Sequence, residues 1–212
     1  VQLTAFFDAF SGLASDVTSS SVRDSVVREA QSLGAAFSAM SGRFSEMQRT
    51  SDGAVRSGVA ELNELASTVA RINSEISGSG GFNADALRDE RAVALTRMAE
   101  LANVTVRERE DGAVDLLMTG GHALVVGGRA FEITTQSQPP SGFASLNLSD
   151  FDITSQVTGG RIGGLLTLRD STIPGYHAQL DQLAYDLATE VNALHTTGFD
   201  ANGAAGGAFF TA

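Results

Sequence analysis

Between Val22 and Ile76 the apolar residues recur in steps of three and four, and this stripe constrains the fold more than any other feature of the chain. The first half reads Val26, Ala30, Leu33, Phe37, Met40, Phe44 and Met47. That spacing keeps one face of a helix turned toward a partner, as in a coiled-coil seam. The next positions in step would be Ser51, Gly58 and Leu65, but the apolar face re-emerges at Val55, Val59, Leu62, Ala66, Val69, Ile72 and Ile76. The offset is a four-residue stutter centred on Ser51-Asp52-Gly53, which locally unwinds a left-handed supercoil. Ser19-Ser20-Ser21 offers an N-cap, and Ser77-Gly78-Ser79-Gly80-Gly81 a stop. One helix of this span, at ~1.5 Å per residue, would run roughly 80 Å. The alternative is two helices broken at Asp52-Gly53, since an interior Gly costs about 1 kcal/mol.

Downstream, Asn83 can cap a second helix running to about Leu101, with Leu87, Ala94, Leu95, Met98 and Leu101 on one side. The short linker predicts an antiparallel hairpin with the long helix. The period then changes to two. Val104 and Val106 alternate with Thr105 and Arg107, and, across the turn Glu110-Asp111-Gly112, Val114, Leu116 and Met118 alternate with Ala113, Asp115 and Leu117. Ala123–Val126 and Phe131-Glu132-Ile133 follow their own Gly-Gly turns, which predicts a four-strand β meander. Beyond Pro139-Pro140, Leu146, Leu148, Phe151 and Ile153 suggest further short strands. Gly159-Gly160-Arg161-Ile162-Gly163-Gly164 reads as a tight turn closing this region, with Leu165-Leu166 opening the last helical stretch. Pro174 fits the first turn of its main part, and Leu180, Leu183, Leu187, Val191 and Leu194 repeat as a seam ending at Gly198. The fold class is therefore α+β, predominantly α: a long coiled-coil-like helical bundle with a small antiparallel β subdomain. The expected division is 1–103 with 160–212 as a helical rod domain and 104–159 as the β-rich subdomain.

Composition narrows the chemistry. The net charge of -11 opposes a phosphate backbone, and no basic cluster interleaved with aromatics overcomes it, so nucleic acid is not an expected partner. All 14 basic residues are Arg. Without Lys there is no Schiff base and no phosphate-loop Lys. With no Cys there are no disulfides, thiolate nucleophiles or thiolate metal sites. No apolar run approaches the ~20 residues of a membrane span, so no membrane is an expected partner, and no cleavable signal peptide is evident. The start at Val1, directly in the apolar-periodic Leu3, Phe6, Phe7, Phe10, Leu13, and the end at Ala212 after Phe209-Phe210-Thr211 lead us to expect a piece of a longer protein.

The candidate sites are weak. Gly159 to Gly164 lacks the Lys and Ser/Thr of a phosphate loop. Phe199-Asp200-Ala201-Asn202-Gly203 hints at a calcium loop, but Ala204 and Thr211 stand where oxygen ligands belong. His122, His177 and His195 are scattered, with only His177 and Asp181 at helical ligand spacing. No strand-turn-helix nucleophile signature occurs. Asp89, Glu90 and Arg91, like Arg169-Asp170, read as helix-surface or inter-helix ion pairs rather than acid/base machinery. We expect no catalytic, cofactor-binding or metal residues and no cofactor.

Several segments together resemble one family, the flagellar hook-associated protein of the first junction ring between hook and filament. They are Leu3 to Phe10 with Leu13-Ala14, Arg23 through Phe37, Leu87-Arg88-Asp89-Glu90-Arg91, Gly159 to Leu166 with Arg169-Asp170, and Leu180 to Ala184 through Asn192, His195, Gly198, Asp200, Gly203 and Phe209-Phe210. The chain departs from the family pattern at Ala92, where another acid is common, and at Ser19-Ser20-Ser21, where a Pro-containing cap is common. The resemblance implies an extracellular structural subunit of the bacterial flagellum, exported through the flagellar secretion system. Its implied partners are hook protein, the second junction protein and copies of itself in a ring. The residues singled out as a structural motif are Gly159, Gly160, Gly163, Gly164, Arg169 and Asp170. Two other readings remain open: a different axial protein, flagellin-like or the second junction protein, and a helical signalling or adhesin module. The latter predicts a stable parallel oligomer through the Val26 to Ile76 seam, whereas the axial reading predicts that the Leu180 to Leu194 helix fills that seam within the chain.

Overall fold

A computed structural model describes residues 2–78, 84–200 and 203–211. The chain forms helices α1 (Gln2–Ser15), α2 (Ser20–Gly78) and α3 (Ala84–Leu101), then strands β1 (Val104–Glu108), β2 (Val114–Met118), β3 (Ala123–Val126), β4 (Arg129–Ala130), β5 (Ile133–Gln138), β6 (Phe143–Leu148) and β7 (Phe151–Asp152). A 3₁₀ turn (Thr154–Gln156), α4 (Gly160–Thr167), a π turn (Leu168–Thr172) and α5 (Ile173–His195) complete it. The expected stop at Ser79-Gly80-Gly81 and cap at Asn83 lie outside the described residues. Among the described residues, no helix is long and apolar enough to cross a membrane.

α2 is a single helix of 59 residues that runs through Asp52-Gly53 without a break. A Cβ on Gly53 would meet nothing within 4 Å, so the glycine sits on open surface. Its propensity cost of about 1 kcal/mol is offset by what its neighbours bury: Ser51, Asp52 and Val55 are all inside.

Two compact units make up the chain, one from Val1–Glu46 with Pro174–Ala212 and one from Met47–Ile173. This partition follows packing, whereas a division at 103/104 and 159/160 follows the change from helix to strand.

In the larger unit the second half of the stripe is buried along its whole length: Val55, Val59, Leu62, Ala66, Val69, Ile72 and Ile76 are 5% exposed or less. α3 packs antiparallel to it, with Arg97 reaching Glu61 and Glu90 reaching Arg71. Ala94, Met98 and Leu101 join the same core as Val114, Leu116 and Met118, the inward residues of β2. The strands form two sheets rather than one meander. β1-β2-β3-β4 is antiparallel, with Val104 opposite Met118 and Val106 opposite Leu116. Its fourth strand is Arg129–Ala130, not Phe131-Glu132-Ile133. The chain leaves the sheet at Phe131, and Ile133 opens a second sheet, β5-β6-β7, in which Ile133 pairs with Leu148 and Gln138 with Phe143. The cause is a side chain from α2. Asn63 donates to the Ile133 carbonyl and accepts from the Ile133 N–H, both at 2.9 Å, so Ile133 finds these backbone partners on a helix rather than on β3.

The smaller unit gathers around Phe6, fully buried with Ala30 and Leu33 of α2 and flanked by Phe10, Phe37, Leu187, Val191, Phe209 and Phe210. Phe6 and Phe10 meet edge-on at 5.0 Å. Asn192 fastens the tail: its side-chain oxygen accepts the N–H groups of Phe209 and Phe210, and its amide donates to the Phe210 carbonyl. α5 fills the seam only in part. Leu187 and Val191 face the aromatic cluster, but Leu183 and Leu194 are 50% and 73% exposed.

The glycine run is a turn only at its start: Gly159 is extended and Gly160 left-handed where α4 begins, while Gly163 and Gly164 lie within the helix. Gly160 has φ +65, and a Cβ there would stand 2.5 Å from the Leu101 carbonyl carbon. Gly164 meets nothing within 4 Å. The two should therefore respond oppositely to the same change. Gly160→Ala is expected to destabilise the chain by roughly 1–3 kcal/mol through strain and collision, and Gly164→Ala to stabilise it by about 0.5–1 kcal/mol through lost unfolded-state freedom. Urea denaturation of both variants checks the sign of each.

Candidate functional site

The motif residues lie along one stretch of the larger unit. Gly159 sits against the Asn103 side chain, Gly160 against the end of α3, and Gly163 against the Thr158 backbone, while Gly164 faces outward. On the facing helix Gly58 receives Ile162: a Cβ on Gly58 would lie 2.9 Å from the Ile162 Cγ1. Glycine thus lets α4 approach its neighbours closely. Arg169 and Asp170 follow in the π turn; Ile162, Gly163 and Leu166 of α4 and Arg169 of the turn are all buried.

Arg169 is 3% exposed, and each of its three guanidinium nitrogens donates. Its Nη1 donates to Asp52 Oδ1 at 2.5 Å and to the Ala144 carbonyl at 3.0 Å. Nε and Nη2 donate to the two carboxylate oxygens of Asp170 at 2.7 and 2.8 Å. The group also lies 5.4 Å from the centre of the Phe143 ring. Asp52 is equally engaged, accepting the Ala144 N–H at 2.7 Å on Oδ1 and Arg56 Nε at 2.9 Å on Oδ2. Gln48, one turn earlier on α2, donates to the Arg169 carbonyl at 2.9 Å. The stutter in α2 and the π turn therefore meet: at the level where the apolar seam lapses, Asp52 turns inward and Arg169 answers it. Burial alone would raise the Asp52 pKa, but the Ala144 N–H, Arg56 and Arg169 outweigh it and hold the carboxyl below its ordinary range.

A second polar hub lies nearer the end of α2. Asn73, 1% exposed, donates to the carbonyls of Val114 and Gly127 and accepts from the Val114 N–H and Arg91 Nη1. Arg91 also donates to the Gly112 carbonyl. Burial lowers the Arg91 pKa, and Arg88 adds to the effect. Of the acidic-basic run flagged from sequence, Arg91 is thus an internal strut, Glu90 pairs with Arg71 at the surface, and Asp89 is exposed. Nothing had singled out Asn63 or Asn73. Their one sequence signal is an amide beside an apolar seam residue, Leu62 in one case and Ile72 in the other.

The histidines each have partners of their own. His122 lies against Phe151 with ring centres 5.1 Å apart. His177 approaches Ser41 Oγ at 3.3 Å and Asp181 at 3.9 Å, and His195 Nδ1 donates to the Gly207 carbonyl at 2.6 Å. Asp200 Oδ1 accepts the Ala204 N–H, while Ala201 and Asn202 of the calcium-like stretch lie outside the described residues. An open groove of about 640 Å³ between α2 and the β4–β5 connection is lined by Asn63, Glu64, Ser67, Thr68, Ala130, Phe131 and Glu132. No histidine lines it, and Asn63 is committed to Ile133. The charges buried in the larger unit hold backbone segments together.

Removing one partner of the buried pair should be costly. Arg169→Ala is expected to lose roughly 3–5 kcal/mol, because Asp52 loses its buried partner and keeps only the more exposed Arg56. The Asp52 carboxyl has a folded-state pKa below its ordinary 3.8. Its ionisation thus contributes stability that is complete above that value and lost as pH falls through the folded value. In urea titrations from pH 7 to pH 2, wild type should lose this contribution below about pH 4, and Asp52→Asn should lack that part of the acid dependence.

Comparison with known proteins agrees with this architecture. The family model described as "Flagellar hook-associated protein FlgK helical domain" matches residues 1–210. The flagellar hook-associated protein 1 of Salmonella typhimurium is 28% identical over 220 residues, covering 99% of this chain and 40% of the relative. Its Escherichia coli counterpart is 26% identical over the same length and the same shares. Among solved structures, the flagellar hook junction protein FlgK from Burkholderia pseudomallei superposes with a TM-score of 0.84 at 26% identity, over 99% of this chain and 40% of that one. The chain therefore spans 40% of the length of these relatives. By the match of its family model, it belongs to the flagellar hook-associated protein FlgK helical-domain family.

Proposed function

We propose that this chain is the helical part of a structural subunit of the bacterial flagellum that joins the hook to the filament, a mechanical adaptor and assembly platform without catalysis. Its partners on this reading are hook protein, the second junction protein and copies of itself in a ring, outside the cell after export through the flagellar secretion system. The helical segments 1–103 and 160–212 would carry the load, with 104–159 as a β-rich side piece. Gly159, Gly160, Gly163, Gly164, Arg169 and Asp170 would serve as the structural motif that keeps the load-bearing helices in register.

The observation that supports this reading most directly is the use made of buried polarity. Arg169, Asp52, Arg91 and Asn73 are each engaged by neighbouring segments of the chain itself. A binding or catalytic site would leave such groups facing a cavity. The Salmonella, Escherichia and Burkholderia relatives, named for the hook and its junction, supply the place.

The test is electron microscopy of cells lacking the gene, with a blot for flagellin in the medium. Bare hooks together with shed flagellin are the expected result, reversed by the wild-type gene. Filaments of normal length would reject the junction role.

A further inference from the structure

Pro174 explains why the helix widens at Leu168–Thr172. Proline has no N–H and its ring presses on the carbonyl four residues back, so Pro174 can donate neither to Asp170 nor to Arg169. The helix responds with a π bond from the Ile173 N–H to the Leu168 carbonyl. The Arg169 carbonyl finds its donor on another helix, the Gln48 side chain at 2.9 Å. Across from it, α2 carries its own weak point, the stutter with Gly53 on open surface. The helix carrying the π turn therefore gives up regular backbone support opposite the level at which the regular α2 carries an exposed glycine. What replaces it is a handful of side-chain contacts through Arg169 and Asp52.

From this we infer that residues 48–53 and 168–174 form a latched joint, a place where both helices can open locally without unfolding the unit, with the Asp52–Arg169 pair as its latch. Opening free energies vary along a chain, and segments with few backbone bonds of their own sit at the low end. Here the latch sets that level: Asp52 collects Arg169, Arg56 and the Ala144 N–H, so weakening its charge loosens both helical segments together. The paired strands β1 and β2 keep their own backbone ladder and do not touch the Asp52–Arg169 pair, and they stay closed. The inference concerns the molecule alone and stands or falls independently of the junction role.

Peptide-resolved amide hydrogen exchange on the full chain tests it. In Asp52→Asn, exchange in peptides covering 47–57 and 166–178 should quicken by about tenfold or more, while those covering β1 and β2, which do not touch the pair, keep their wild-type rates. Pro174→Ala restores a backbone donor, so it should slow exchange across 168–175. Combined with Asp52→Asn, it should recover at least half of the lost protection. Two results would overturn the joint: protection lost evenly across the larger unit, which makes the pair a general brace, or unchanged rates in the two peptides. Should Asp52→Asn fail to fold, Pro174→Ala alone decides, because an unaltered or faster exchange at 168–175 contradicts a proline-imposed weak point.

Discussion

The larger unit depends on one constraint: a charged pair buried where a π turn faces the stutter of the long helix. Isolated charges in a protein interior carry a heavy desolvation cost, repaid only when every remaining donor and acceptor is used. Arg169 comes close to that condition, with all three guanidinium nitrogens donating in four of its five N–H bonds, and Asp52 accepts from three donors. The geometry this demands reaches outward. Ala144 must present both its N–H and its carbonyl to the pair, which fixes the start of β6, and the paired strand β5 is held in turn by Asn63. The position of the second sheet on α2 follows from two polar side chains of that helix, Asp52 at one end and Asn63 further along.

The same economy recurs with asparagine. Asn63, Asn73 and Asn192 each present an amide to the backbone of a segment far away in sequence, offering a donor and an acceptor together as a neighbouring strand would. Helices cannot extend a sheet through their own backbone, whose groups are consumed internally. A side-chain amide gives a helix that capacity at chosen points. The result is a scaffold in which α2 orders the β-rich segment by hydrogen bonds in addition to apolar contact.

The long helix, its apolar stripe beyond Val55, the helix to Leu101 and the inward alternation of β2 are legible in the sequence, because periodicity reports burial wherever one face of an element meets a core. The pairing of Arg169 with an inter-helix partner is legible as a type of contact, and the stutter as a place. What escapes is the identity of the partner, since nothing local ties Asp52 to a residue 117 positions away. The glycine run misleads for a related reason. Glycine marks turns and close helix contacts alike, and only the nearness of the Leu101 and Thr158 backbones distinguishes them. Phe131-Glu132-Ile133 reads as one strand because its composition suits one; Asn63, on another element, divides it. Met40 and Met47 occupy seam positions yet are 45% and 48% exposed, which periodicity cannot reveal, because a stripe states that a face is apolar without stating what covers it.

A chain whose basic residues are all arginine can be read as compositional drift, and for the surface pairs that reading suffices: exposed Arg–Glu contacts such as Arg71 with Glu75 or Arg97 with Glu100 are of small energetic weight. At position 169 the residue type matters physically. One planar fork reaches Asp52 and Ala144 through Nη1 and clasps Asp170 through Nε and Nη2. An ammonium is a single point on a flexible stem and cannot span acceptors so separated. The clasp itself joins adjacent residues, which on a regular α-helix diverge by about 100°. In the wider π turn successive residues diverge less, so the irregular backbone and the planar guanidinium favour each other. The π turn is thus held by a side chain whose geometry it also makes possible, and that reciprocity allows a locally unfavourable backbone to persist inside an otherwise regular helix.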